Sequence, residues 1–214
     1  MAANRSTLTP TDLTVLEILA WRIRVAPSEQ MRQVVGQGVR GWIRRRARLC
    51  QQNLIRSRIV ILPLISVVEP LLTSWPNDAA PDFEALSWHV MQRWTMAKRQ
   101  SVRLLWASRH AEAIVGGKSG AERQPLQVVH DLGMASVFFQ RRQRSAHEME
   151  RWLSEDCFRV VAPREARVKV PDAVILDRDG HVQTAIEFAG CYSATRLRRL
   201  FQHCQRRRWR FELW

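Results

Sequence analysis

Two acids, Asp172 and Glu187, carry the sharpest chemical signal in this chain. Val170-Pro171-Asp172-Ala173-Val174-Ile175-Leu176 is a run of mostly branched apolar residues, the composition of a strand. Asp177-Arg178-Asp179-Gly180 follows, and its Asp-Gly pair suits the positive backbone angles of a two-residue hairpin loop. His181 to Gly190 reads as the returning strand. With Asp179 and Gly180 as the loop, Arg178 faces His181 and, counting back along both arms, Asp172 faces Glu187. Adjacent carboxylates repel unless a cation sits between them or one keeps its proton. Such a couple either has a use, as a divalent metal site would give it, or leaves one member in water.

The flanking elements must hold that hairpin. Ser193 to Arg208 is rich in arginine and helical in period, with Leu197, Leu200, Phe201 and Cys204 on one stripe. Arg210 to Trp214 is a short final strand, expected to expose an edge to a second copy or a protein partner. Ser145 to Phe158 reads as a preceding helix, with Met149, Trp152, Leu153 and Cys157 spaced for burial. Hairpin, crossover helix and strand predict an α/β sandwich. Pro171-Asp172 followed by Glu187 resembles the Pro-Asp…Asp/Glu-x-Lys signature of the restriction-endonuclease-like fold. That resemblance implies Asp172 and Glu187 as Mg²⁺ ligands, with a lysine activating water or steadying charge on the scissile phosphate. The third position here is Ala189. The chain has only Lys98, Lys118 and Lys169. A nuclease reading would call on Lys169 or an arginine instead, with Glu148 or Glu150 as a further ligand.

Charge points the same way. The chain of 214 residues carries a net charge of +14, and all but three of its 34 basic residues are arginine. Planar, bidentate guanidinium groups suit phosphate, so a polyanion partner is expected, most simply double-stranded DNA. A GC-rich genome explains arginine over lysine, but not the excess of bases over acids. Cys50, Cys157, Cys191 and Cys204 form no Cys-x-x-Cys pair and read as small apolar residues in a reducing cytoplasm. The longest apolar stretch, Ile59 to Val68, contains Pro63 and is too short to span a bilayer. No signal peptide is expected at the start.

The N-terminal third supplies a second candidate site. Thr9-Pro10-Thr11-Asp12 is a helix start, and another helix follows Ala26-Pro27. Val39 to Gln52 is a third, on which Arg40, Arg44 and Arg48 recur every four residues, with Arg45 and Arg46 beside them. Arg56-Ser57-Arg58 leads a β-like run. Three helices, the last basic, then strands with arginines at their start is the order of a winged helix-turn-helix. Asp82 to Leu105 is expected to be one helix. Ala113 to Arg123 lacks the first glycine of a phosphate loop and reads as a turn between two short strands. In the helix from Leu126 to Phe139, His130-Asp131 reads as a core or capping pair.

From Leu8 to Trp214 the order of motifs resembles the replication-relaxation family of bacterial plasmids and mobile elements: the Leu-Thr-Pro-x-Asp opening, a winged helix, a His-containing helix, a Pro-Asp hairpin and Glu-Phe-Ala-Gly-x-Tyr. The resemblance implies a DNA-binding protein with a nuclease-like second domain. The expected domains are 1–75 (winged helix), 76–144 (linker and middle segment) and 145–214 (nuclease-like), an α/β (α+β) chain overall. Arg40, Arg44, Arg45, Arg48, Arg56, Arg58, Arg196, Arg199 and Tyr192 are the expected nucleic-acid contacts. Two functions stay open here: DNA binding without catalysis, or a Mg²⁺-dependent endonuclease or nickase.

Overall fold

Thr9-Pro10-Thr11-Asp12 begins the first helix as its composition predicts. In α1 (Pro10–Glu17) the Thr9 hydroxyl accepts the Asp12 N–H, and the Asp12 carboxylate accepts the Thr9 N–H at 2.8 Å. A π-helical turn, Ile18–Arg22, extends it. The computed structural model describes residues 8–65, 67–118, 125–162 and 170–214. Lys169 and the end of the 113–123 segment therefore lie outside the described residues. After α1 come β1 (Ala26–Pro27), α2 (Ser28–Val34), α3 (Val39–Gln51), β2 (Ile55–Leu64), β3 (Leu72–Ser74), α4 (Phe83–Thr95), β4 (Lys98–Ala107), α5 (Arg109–Val115) and α6 (Pro125–Arg144). Then follow α7 (Ala146–Met149), β5 (Trp152–Ser154), α8 (Glu155–Val161), β6 (Ala173–Leu176), β7 (Val182–Glu187), α9 (Ala194–Arg207) and β8 (Arg210–Leu213).

This mixed α/β chain does not divide in sequence order. One unit joins Met1–Leu62 to Arg99–Phe139, and the other joins Pro63–Lys98 to Gln140–Trp214. Three expected elements also differ. The helix from Asp82 stops at Thr95, and 98–107 forms β4, which pairs with β1 (Ala26↔Leu105) and β2. The stretch 145–158 is broken by β5: Trp152, Leu153 and Ser154 pair with Ile175, Val174 and Ala173, and Ser154 caps α8 through the Cys157 N–H. The turn expected between short strands follows helix α5 instead.

In the first unit α3 packs through Trp42 and Leu49, and the Trp42 indole N–H donates to Ser28 Oγ at 2.9 Å. Its sheet has the order β1-β4-β2. The decisive contact here is polar. Asp12 has no exposure, and it accepts from Arg48 at 2.6 Å and from Arg45 Nη1. That clamp ties α3 to the start of α1.

In the second unit the sheet has the order β3-β8-β7-β6-β5, antiparallel except between β7 and β8. Helix α9 is the crossover that a parallel pair requires. Helices α4 and α9 cover one face: Phe83, Val90, Leu197, Leu200 and Phe201 pack with Ala185, Ala189, Phe211 and Leu213. On the alternate face of β8, Glu212 accepts from Arg141, Arg210 and the Trp214 indole. The final strand is not an edge. Leu72–Ser74 pairs along its outer side and Trp214 is buried, so the expected docking edge for a partner at β8 is taken by the chain itself.

The Asp12 clamp predicts a pH-dependent stability. Burial works to raise the Asp12 carboxyl, but hydrogen bonds from Arg48, Thr9 and Arg45 outweigh it and hold the group below its ordinary range. A lowered folded value gives stabilisation that is present above the unfolded value of about 3.9 and lost as pH falls through the folded one. Urea denaturation should find Asp12→Ala weaker than the parent by about 3 kcal/mol at pH 7. That gap should close below about pH 3; a gap independent of pH would mean that packing, not charge, holds α3.

Candidate functional site

The hairpin brings the two acids together by a route the sequence does not show. Asp177 N–H donates to His181 O at 2.8 Å, and Gly180 takes a positive φ of 84°, so the loop holds three residues rather than two. That lengthening alone would slip the register by one. A bulge between Ile175 and Leu176 restores it: Leu176 faces Val182, but Ile175 faces Thr184, Val174 faces Ala185 and Ala173 faces Ile186. One step further, Asp172 stands opposite Glu187.

Both acids lie on the α9 side. Glu187 alternates with Ala185 and Ala189, which belong to the apolar cluster under α4 and α9. Its Oε1 accepts the Tyr192 hydroxyl at 3.0 Å. Asp172 Oδ2 accepts the Phe188 N–H at 2.9 Å. Burial pushes the Tyr192 phenol far up, the charges of Glu187 and Asp172 add to this, and Arg196 opposes it. The Arg196 guanidinium lies over the Tyr192 ring, 3.5 Å from its centre. Tyr192 is itself fixed from behind, because its carbonyl accepts the Ser87 hydroxyl at 2.8 Å.

This arrangement fits Mg²⁺ poorly. That ion demands near-octahedral oxygen ligands and keeps several waters. Glu187 is 1% exposed, and its Oε1 is already taken by the hydrogen bond from the Tyr192 hydroxyl. The acids expected to assist do not converge: Glu148 binds Arg141 at 2.8 Å, and Glu150 is exposed beside His147. Ala189, in the lysine position, is fully buried; its carbonyl accepts the Trp94 indole N–H. A group that could hold a metal ion among the described residues is Asp177, Asp179 and His181, whose ligand atoms lie within 4.8 Å of one another. There Asp177 Oδ1 already accepts the N–H groups of Asp179 and His181, the ordinary work of an aspartate in a turn.

The arginines separate into two kinds. On α3, Arg45 and Arg48 turn inward to Asp12, so the stripe expected to grip DNA loses two members to a buried counter-charge 33 and 36 residues away in sequence. Arg40 and Arg44 are exposed, and Val39, Ile43 and Ala47 lie uncovered with them. Arg56 and Arg58 are exposed on β2. In the second unit, Arg196, Arg199, His203 and Arg206 line a shallow depression of about 500 Å³ along α9, with Ser193 and Thr195 at one end. In the basic cluster at 140–144, Arg141 holds Glu212 and Arg144 holds Glu69. Sequence reasoning missed Arg93: it sits on α4, where apolar periodicity drew attention to its neighbours, and its guanidinium lies 5.1 Å from the Phe188 ring centre.

No family model, characterised protein or solved structure matches this chain. Among the described residues no helix is long and apolar enough to cross a membrane.

Tyr192 is the chain's one tyrosine, so its ionisation can be followed without interference. A folded value raised above the unfolded one of about 10 gives stability that is complete below that pH and lost as pH rises toward the folded value. The phenolate absorbance should therefore stay absent through about pH 11 and appear only with unfolding. Tyr192→Phe should cost about 1–3 kcal/mol by leaving a buried carboxylate one donor short. Reversible phenolate formation near pH 10 in folded protein would rule out the closed site.

Proposed function

We propose that this chain is a double-stranded-DNA-binding protein that holds its target without cutting it. The observation that carries the reading is the exposed face of α3, where Arg40 and Arg44 lie beside Val39 and Ile43 and, among the described residues, neither forms an ion pair. A helix that offers guanidinium groups and apolar side chains together suits a major groove, where arginine reads guanine and apolar groups meet thymine methyls. The order helix, short strand, two helices and two long strands, with sheet order β1-β4-β2, supports a winged helix in the first unit. Arg56 and Arg58 then belong to the strand that would lie over the adjacent backbone.

In the second unit, a helix, three antiparallel strands, a crossover helix and a parallel strand support a restriction-endonuclease-like frame. Its acid pair is closed by Tyr192 and lacks the lysine, so the frame contributes binding through the α9 depression, not hydrolysis. The likeness of motifs to replication-relaxation proteins supports a role in plasmid or mobile-element replication or its control, in the cytoplasm. The competing reading, a Mg²⁺-dependent endonuclease or nickase on Asp172 and Glu187, is favoured by one observation: both acids occupy one face of the sheet.

Fluorescence anisotropy with a labelled duplex should show binding that weakens steeply with salt. Arg40→Ala with Arg44→Ala should weaken it about tenfold or more, and lower the slope of log affinity against log salt by about 2 if both contact phosphate. Supercoiled plasmid incubated with the protein and Mg²⁺ or Mn²⁺ should remain intact. Nicking that Asp172→Asn abolishes would replace this reading with the nuclease, and salt-independent binding would remove both.

A further inference from the structure

We propose that Arg93 is an anion site of the second unit, which takes a phosphate oxyanion on the side-on edge of its guanidinium. The inference does not rest on the function proposed above. Nε and Nη2 of Arg93 are both buried, and among the described residues neither meets a hydrogen-bond acceptor. Among the described arginines it is the one with two such nitrogens. Together they form the edge that grips two oxygens of a carboxylate or phosphate at once.

The group is placed, not adrift. Its neighbour Trp94 donates to the Ala189 carbonyl at 2.8 Å, fixing the end of α4 beside the end of β7. The guanidinium rests over Phe188, whose N–H is held by Asp172. In its own last turn the Gln92 and Trp94 carbonyls accept from Met96 and Ala97. Burial pulls Arg93 down to about 10, so it is still cationic at neutral pH. Arg141, by contrast, is half-buried and meets both Glu212 and Glu148. A buried cation with unmet donors is costly, and a bound anion removes that cost. Both nitrogens are covered while Arg93 as a whole is only half-buried, so the anion reaches that edge through a rotation of the side chain.

Phosphate is favoured over a protein carboxylate. The carboxylates next to Phe188 in the sheet, Asp172 and Glu187, are engaged by the Phe188 N–H and the Tyr192 hydroxyl, and a chain of net charge +14 draws phosphate to its surface. The phosphate is either free or part of a nucleic-acid backbone.

The test follows the Arg93 side-chain Nε–H signal by NMR in the full chain, with Arg93→Lys giving the assignment. Potassium phosphate should shift that signal saturably, while potassium chloride of equal ionic strength should not. In melting experiments, phosphate should raise the midpoint by about 3 °C more than chloride, and Arg93→Leu should remove most of that difference. Without phosphate, Arg93→Leu should melt no lower than the parent, because it deletes an unmet cation and keeps apolar contact with Phe188. A duplex that shifts the same signal and competes with phosphate assigns the ligand to nucleic-acid backbone; a response to inorganic phosphate alone assigns it to the free ion. A signal that neither moves overturns the site, as does an Arg93→Leu variant that keeps the full phosphate effect.

Discussion

A carboxylate taken out of water must be met by donors, and that constraint organises both halves of this molecule. The buried acids among the described residues are Asp12, Asp131, Glu187 and Glu212. Asp12 is met by Arg45 and Arg48, Asp131 through its Oδ1 alone by Gln127 and Arg24, and Glu212 by Arg141 and Arg210. Glu187 is met by a tyrosine hydroxyl. Part of the arginine surplus that looks external in composition is therefore internal. Guanidinium groups are well suited to this, since a planar fork satisfies two oxygens while its alkyl stem packs like an apolar side chain.

The same constraint separates binding surface from scaffold. Helical spacing alone puts Arg40, Arg44 and Arg48 on one stripe, yet Arg48 is drawn toward Asp12 and Arg40 and Arg44 are not. On α9 the apolar side is buried against the sheet, and Arg199 and Arg206 point away from it. Arg196 stands between these roles: exposed as a residue, it is nonetheless stacked on Tyr192 over the acid pair.

What was legible in the sequence was local. The Thr9–Asp12 cap, the basic helix from Val39, the hairpin at Asp179-Gly180 and the amphipathic α9 each follow from a few adjacent residues. The facing of Asp172 and Glu187 was legible for a partly wrong reason, since the loop is a residue longer than expected and a bulge compensates for it. What was not legible depends on distant partners. Trp152–Ser154 has apolar residues that serve a helix as well as a strand, and becomes β5 because β6 offers an edge. Lys98–Ala107 continues a helical-looking stretch, but pairs with Ala26–Pro27. Asp12 gives no sign in the sequence that two arginines over thirty residues downstream will claim it.

The excursion from Pro63 to Lys98 leaves the first unit between two paired strands and lends β3 and α4 to the second. Neither unit is thus a contiguous cassette. A gene fragment begun at Gln140 would code for a sheet whose β8 flank is bare and whose Tyr192 has lost the Ser87 tether. Recombination that shuffles intact domains between proteins would find no clean cut here, so the two halves are constrained to be inherited, and to drift, as one piece.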